Sequence, residues 1–169
     1  MFCLHLTIVL VLFYAITVNG SAQTVWYVDD DNTMGPWLGT PDNPYQFIQS
    51  GIAAASSGHM VWVMPGTYVE NIDFNGHNVV VGSLFLTTDD TSFVSSTIID
   101  GNSSASVIRF VSGEDSTTKI CGFTIQHGFG FQGGGVYCQA GTSYEIFKFA
   151  NNIVTGNSAY LGGGIGNYL

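Results

Sequence analysis

Phe123 to Tyr137 reads Phe-Thr-Ile-Gln-His-Gly-Phe-Gly-Phe-Gln-Gly-Gly-Gly-Val-Tyr, and Asn152 to Gly166 reads Asn-Ile-Val-Thr-Gly-Asn-Ser-Ala-Tyr-Leu-Gly-Gly-Gly-Ile-Gly. Aligning Gly133, Gly134 and Gly135 on Gly162, Gly163 and Gly164 sets an offset of 29 residues. Ile125 then falls on Val154, Phe131 on Tyr160 and Val136 on Ile165. Each copy is a short β-branched strand, a polar turn, an aromatic, a triple glycine and a second apolar strand. Self-similarity at a period of about 20–50 residues marks a repeat array.

The period extends backwards through a glycine after each short strand: Gly76, Gly101, Gly128 and Gly156, at spacings of 25, 27 and 28. Such a period holds about three short strands at about 3.3 Å rise per residue, with turns between them. No long helical pattern follows Gly58, so βαβ crossovers are excluded. The expected fold is all-β, a single-stranded parallel β-helix of about four coils over residues 60–169.

Composition agrees with a packed solenoid. Of 169 residues, 46% are hydrophobic and only 9% charged, about a third of the usual charged share. Net charge is -9, and the only cations are Arg109, Lys119 and Lys148. No basic face can be assembled to displace counterions, so nucleic acid is excluded as a partner. The same field opposes polyanionic substrates unless a cation bridges them.

Taken in order, Phe2 to Val18 is almost wholly apolar and precedes the small residues Gly20, Ser21 and Ala22. Residues 1–22 are expected to be a secretory signal peptide, although no Lys or Arg stands near Met1. An uncleaved anchor is the alternative, with an apolar run marginal for a span. With the signal removed, no membrane span is expected in the mature chain. Residues 23–59 follow as a strand at Val25–Val28, an acidic loop and a helix. Asn43 suits a cap, Pro44 the first turn, and Tyr45, Ile48, Ile52 and Ala55 share a face. The helix Tyr45–Ser57 is expected to cap the open end of the solenoid. Residues 60–169 supply the coils, with a looser excursion at Leu84–Ser96 and a strand at Tyr144–Phe149. No closing cap is seen before Leu169, so a C-terminally truncated fragment of a solenoid that continues further is expected.

Several of these segments carry a family resemblance. Tyr27-Val28-Asp29-Asp30-Asp31-Asn32, Gly39-Thr40-Pro41, Pro44-Tyr45, Ile48-Gln49 and Pro65-Gly66-Thr67-Tyr68-Val69-Glu70-Asn71 resemble secreted right-handed parallel β-helix proteins of the pectin-lyase-like superfamily. Phe149-Ala150-Asn151-Asn152 and the Gly-Gly-Gly-Ile after it are similar to repeats of polymorphic outer-membrane adhesins, with Gly where Ala is usual. The resemblance implies the fold, its right hand and a secreted or cell-surface location. It does not choose among lyases, hydrolases, epimerases and binders, which share the fold.

Candidate chemistry is sparse. Asp29, Asp30 and Asp31 form the densest carboxylate cluster and are the candidate calcium site, since hard cations take several oxygens. A solvated strand-to-loop turn is the simpler account of them, and no other cofactor is expected. Asp73 and Asp100 are the weak catalytic candidates. Each precedes a turn glycine, so they could stack one coil apart at about 4.8 Å. Glycoside hydrolysis needs two carboxyl groups across a sugar, but turn chemistry also explains Asp before Gly. Glu70 and Asp115 complete the carboxylates considered for that role. Gly128-x-Gly130-x-x-Gly133 copies a dinucleotide fingerprint, yet no helix pattern follows to hold a pyrophosphate. His59, His77 and His127 are dispersed. Cys121 and Cys138 share the parity of apolar neighbours, as stacked thiols or a disulfide. Asn102-Ser103-Ser104 is a glycosylation sequon.

Phe129, Phe131 and Tyr160 are the candidate ligand-binding residues. They flank glycine turns, where they form either an internal stack or an exposed platform for sugar faces. The expected function is a secreted or cell-surface scaffold for adhesion or carbohydrate binding, its partner a polysaccharide or cell-surface glycan. Neutral polysaccharide would bind weakly, and no complete catalytic site is expected in this chain. The alternative is the N-terminal part of a polysaccharide lyase or glycoside hydrolase.

Overall fold

The structure is a computed structural model and describes residues 24–139 and 147–168. The expected signal peptide, residues 140–146 and Leu169 lie outside the described residues.

Short runs of β-branched and aromatic residues form the strands, as pleated half-buried surfaces favour. Val25–Val28 is β1 and Ile48–Ala54 is α1. Met60–Val63, Gly66–Val69, Ile72–Asp73 and Val80–Ser83 are β2 to β5. Phe85–Thr88 and Ser92–Ser96 are α2 and α3. Thr97–Asp100, Ile108–Phe110, Lys119–Cys121, Thr124–Gln126, Phe129–Gln132 and Val136–Gln139 are β6 to β11. Lys148–Ala150, Ile153–Thr155, Ser158–Leu161 and Ile165–Tyr168 are β12 to β15.

These strands build parallel sheets in the orders β1-β2-β5-β8-β12, β3-β6-β9-β13 and β4-β7-β11-β15, with β10-β14 as a two-stranded fourth. After β1, which pairs with β2, strands consecutive in the chain do not pair with one another. The chain visits three sheets in rotation, and β2–β4, β5–β7, β8–β11 and β12–β15 are four such passes. The protein is all-β with parallel sheets, as expected. The 29-residue offset is the register of the last two passes: Ile125 lies opposite Val154, and Val136 opposite Ile165.

Burial follows from this stacking. Val61, Val81 and Ile120 stand in one column, and Tyr68, Ile99 and Ile125 in a second. Ile72, Ile108 and Val136 form the third. All nine are at most 2% exposed. Phe74, Phe110 and Phe147 stack between the columns with ring centroids 4.5 and 3.8 Å apart. Burial of one such aliphatic side chain stabilises by roughly 1.5–3 kcal/mol. Asparagines join passes where the backbone turns. The Asn157 side chain accepts from Gly128 N–H at 2.7 Å and donates to Ile125 carbonyl at 2.9 Å, and Asn152 bridges Phe123 and Ile120 likewise.

The triple glycine has two causes. Gly133 and Gly162 hold φ of 58° and 65°, the left-handed region that glycine occupies freely. Gly134 is a contact position instead: a Cβ there would collide with the backbone of Ser158 and Gly163 one pass on.

Three expectations are corrected. The helix is shorter than Tyr45–Ser57, because Tyr45 is extended: it donates to Tyr27 carbonyl and accepts from Asp29 N–H, both at 2.8 Å. Asn43 does not cap it, since Phe47 stands at the N-cap without a side-chain cap bond. The four glycines are not equivalent. Gly101, Gly128 and Gly156 follow β6, β9 and β13 of one sheet, but Gly76 follows β4 of another. Glu70 occupies the matching place in the first pass, its N–H donating to Asp100 carbonyl at 3.0 Å. Finally, the Leu84–Ser96 excursion contains α2 and α3, and Thr124 hydroxyl anchors it by donating to Val94 carbonyl at 2.9 Å.

Candidate functional site

The fourth sheet places the candidate ligand-binding aromatics. β10 and β14 pair in parallel, Phe129 opposite Ser158 and Gln132 opposite Leu161, so Phe129 and Phe131 point to one face of β10. That face is outward: Phe129, Phe131 and Tyr160 are 54%, 69% and 80% exposed. Phe131 and Tyr160 stack with centroids 5.4 Å apart and planes 10° from parallel, an offset arrangement that aromatic quadrupoles favour. Of the two arrangements the sequence leaves open, the exposed row is the one found.

Beside these rings lies a cleft of about 500 Å³, lined by Ser104, Ala105, Ser106, Arg109, Phe129, Gly130, Phe131, Gln132 and Tyr137. Its geometry comes from a strand missing in the preceding pass. β10 pairs only with β14, and the segment before β7 crosses above it as a turn. Phe129 N–H donates to Ala105 carbonyl at 2.9 Å, and Ser106 hydroxyl leans on Gln132 carbonyl at 3.4 Å. Asn71 supports the turn by donating to the carbonyls of Ala105 and Ser106 at 3.2 Å. Backbone hydrogen bonds thus fix part of the lining, which also includes Arg109, Gln132 and Tyr137 beside the aromatics. The cleft is open to solvent and mixes aromatic with polar lining residues.

Nothing in the sequence points to Arg109, Gln132, Tyr137 or Ser104–Ser106 as site residues. Arg109 stands out there only as one of three cations, and its side chain is 47% exposed. Its partners depend on register: Asp73, Arg109 and Tyr137 are consecutive rungs of one ladder, although Asp73 and Arg109 are distant in sequence.

That ladder also corrects the pairing of Asp73 with Asp100. Asp73 faces Arg109, with 3.6 Å between Oδ2 and the guanidinium. Asp100 belongs to a different sheet, opposite Gln126. The two carboxylates are not stacked, because Gly76 and Gly101 end strands of different sheets. Asp100 accepts from Asn102 N–H at 2.8 Å, from the Gln126 amide at 3.0 Å, and lies 2.8 Å from His127 Nδ1. Burial opposes its ionisation, but the Gln126, Asn102 and His127 contacts outweigh it and hold its pKa below the usual range.

The acidic cluster Asp29, Asp30 and Asp31 serves the turn it sits in. Asp29 Oδ1 accepts from Asp31 N–H at 3.1 Å. Asp30 Oδ2 accepts from Thr67 N–H at 2.9 Å, and its carboxylate fills the space a side chain on Gly66 would take. Among the described residues no group of three His, Cys, Asp or Glu is gathered as a metal set. Glu70 is a structural acceptor as well, taking Ile48 N–H at 2.8 Å and Gln49 N–H at 3.0 Å. Asp115 accepts from Thr117 N–H at 2.8 Å.

The remaining candidates stay apart. His59 accepts from the Trp26 indole at 3.2 Å, and His77 Nδ1 meets Ala55 carbonyl at 2.8 Å. Cys121 and Cys138 are free, buried and in different sheets. Burial, aided by Glu114, pushes the Cys138 thiol up to about 11, so it is a poor nucleophile. Gly128-x-Gly130-x-x-Gly133 runs into β10, a strand, and offers no helix N-terminus. Among the described residues no helix is long and apolar enough to cross a membrane. Compared with protein-family models, curated proteins and solved structures, the chain shows no match.

Proposed function

We propose that this chain is a secreted or cell-surface scaffold that binds carbohydrate, built as a right-handed parallel β-helix of the pectin-lyase-like kind. The three-sheet rotation of its parallel strands supports that architecture. The Asp-Asp-Asp-Asn and Pro-Gly-Thr-Tyr-Val-Glu-Asn segments, on which the resemblance rests, meet through the Asp30–Thr67 hydrogen bond. The partner is a polysaccharide or a cell-surface glycan.

One observation carries the functional reading: Phe129 and Phe131 stand exposed in the lining of a cleft that Arg109, Gln132 and Tyr137 also line. A pyranose has an apolar C–H face and a hydroxyl edge, which this mixture of ring faces and donors matches. Isothermal titration of the purified chain with a panel of β-glucans, mannans, galactans and pectins tests it. Binding should fall at least about tenfold when Phe129, Phe131 and Tyr160 are replaced together by Ala, because aromatic contacts dominate such sites. Binding untouched by the triple replacement would remove the aromatic flank as the site.

A further inference from the structure

Arg109 combines a matched charge with solvent-facing hydrogen-bond donors that no described side chain or backbone acceptor takes. Its guanidinium lies 3.6 Å from Asp73 Oδ2, within ion-pair range but beyond hydrogen-bonding distance. Asp73 is itself fixed, because its Oδ1 accepts from Asn75 N–H at 2.9 Å. Its N–H also donates to Gln49 Oε1 at 2.8 Å, which ties this strand to α1. Among the described residues no acceptor takes an Arg109 N–H within hydrogen-bond range, although a guanidinium carries five donors. Arg109 lines the cleft together with Phe131, Gln132 and Tyr137, in a chain of net charge -9.

We infer that Arg109 is a ligand-binding residue and Asp73 a selectivity residue, together setting the cleft for uncharged, hydroxyl-rich sugars over carboxylate-bearing ones. This rests on the carbohydrate reading above and deepens it. A sugar hydroxyl can accept from these solvent-facing donors without needing a net positive charge. A uronate carboxylate would meet a cation already balanced by Asp73, within a field that repels anions. Discrimination of this kind works by a repulsive element as much as by an attractive one. Asp73 touches no ligand; it acts by neutralising Arg109.

The test compares neutral gluco-, manno- and galacto-oligosaccharides with oligouronates of equal length, titrated into the wild-type chain, Arg109→Met and Asp73→Asn. Circular dichroism melting checks that each variant folds. Wild type should bind at least one neutral probe about tenfold more tightly than any uronate. Arg109→Met keeps the apolar stem and should lose about tenfold in neutral-sugar affinity, the scale of charge-assisted bonds. Asp73→Asn should gain about tenfold for uronates, and that gain should vanish as salt rises. If Arg109→Met does not fold, the Asp73→Asn gain decides alone. Neutral binding that requires Phe129 and Phe131 but ignores Arg109 would overturn this inference and leave the aromatic site standing. So would a wild-type preference for uronates. Absence of binding to every probe would overturn the carbohydrate reading and this inference with it.

Discussion

Asp100 divides its carboxylate among three donors from two passes of the chain. Asn102 closes the local turn, while Gln126 and His127 come from the next pass. The same residue thus shapes a turn and links adjacent passes, a sufficient account of why Asp precedes Gly101 without any catalytic role. Because these contacts hold its pKa below the ordinary value, Asp100 binds its proton less readily folded than unfolded. Its stabilising contribution is present above about pH 4, the unfolded value. It is lost as the pH falls through the depressed folded value. The Asp100→Asn variant should therefore be less stable than wild type at pH 6 and closer to it at pH 3. Urea unfolding of both proteins at the two pH values measures this, and an unchanged gap would show that Asp100 contributes no linkage. Turn chemistry of this sort was legible from the sequence, since Asp-Gly is a local signal. The partners Gln126 and His127 were not, because they depend on how far the chain travels before returning.

At the scale of the element, α1 illustrates a cap supplied from elsewhere. A seven-residue helix is too short to be stable alone. It persists because Ile48 and Ile52 are fully buried and because the Glu70 carboxylate receives the first free N–H groups. Gln49 completes the junction: its side-chain amide donates to Asp73 carbonyl at 3.0 Å and accepts from Asp73 N–H at 2.8 Å. That exchange satisfies the outer edge of β4 as a neighbouring strand would, which is what an end cap must do. The apolar periodicity of Ile48 and Ile52 revealed the helix. Its start was misplaced because Asn43 and Pro44 form a plausible local cap, whereas the acting acceptor lies more than twenty residues onward. Replacing Glu70 by Ala should cost about 1–3 kcal/mol, because it removes the acceptors of two N–H groups at a helix N-terminus. Glu70→Gln should cost less, since it keeps one acceptor and removes a carboxylate whose pKa burial raises. A raised folded pKa means that Glu70 contributes most below its unfolded value and less as the pH rises through the folded one. The advantage of wild type over Glu70→Gln should accordingly shrink from pH 4 to pH 8. Denaturant midpoints for the three proteins test the order, and equal midpoints would exclude Glu70 as the cap.

Across the whole molecule, regularity increases along the chain. In the last two passes the strands of all four sheets keep one 29-residue register, as Lys119 opposite Lys148 and Phe129 opposite Ser158 show. Earlier passes are interrupted by α2 and α3 and by polar turns. The repeat was therefore readable between Phe123 and Tyr168, and the Gly76 to Gly101 interval joined unlike positions. Packing runs the other way. Val136 is fully buried, but its equivalent one pass later, Ile165, is 53% exposed, and Ile153 and Leu161 are about half exposed. In stacked repeats each unit is stabilised by its neighbours, so a pass covered on one side alone should open more often than one covered on both. Amide hydrogen exchange should consequently rank the strands by position: β6, β8 and β9, enclosed between passes, slowest, and β12, β13 and β15 fastest. Opening of the last pass requires only its own contacts with β8 to β11 to break, so its protection should fall well below the global value while the inner strands approach it. Mass spectrometry of peptic fragments after timed exchange in deuterated buffer resolves these segments. Uniform protection from β2 to β15 would mean that the passes open as a single cooperative unit and that the exposed face at Ile165 carries no local weakness.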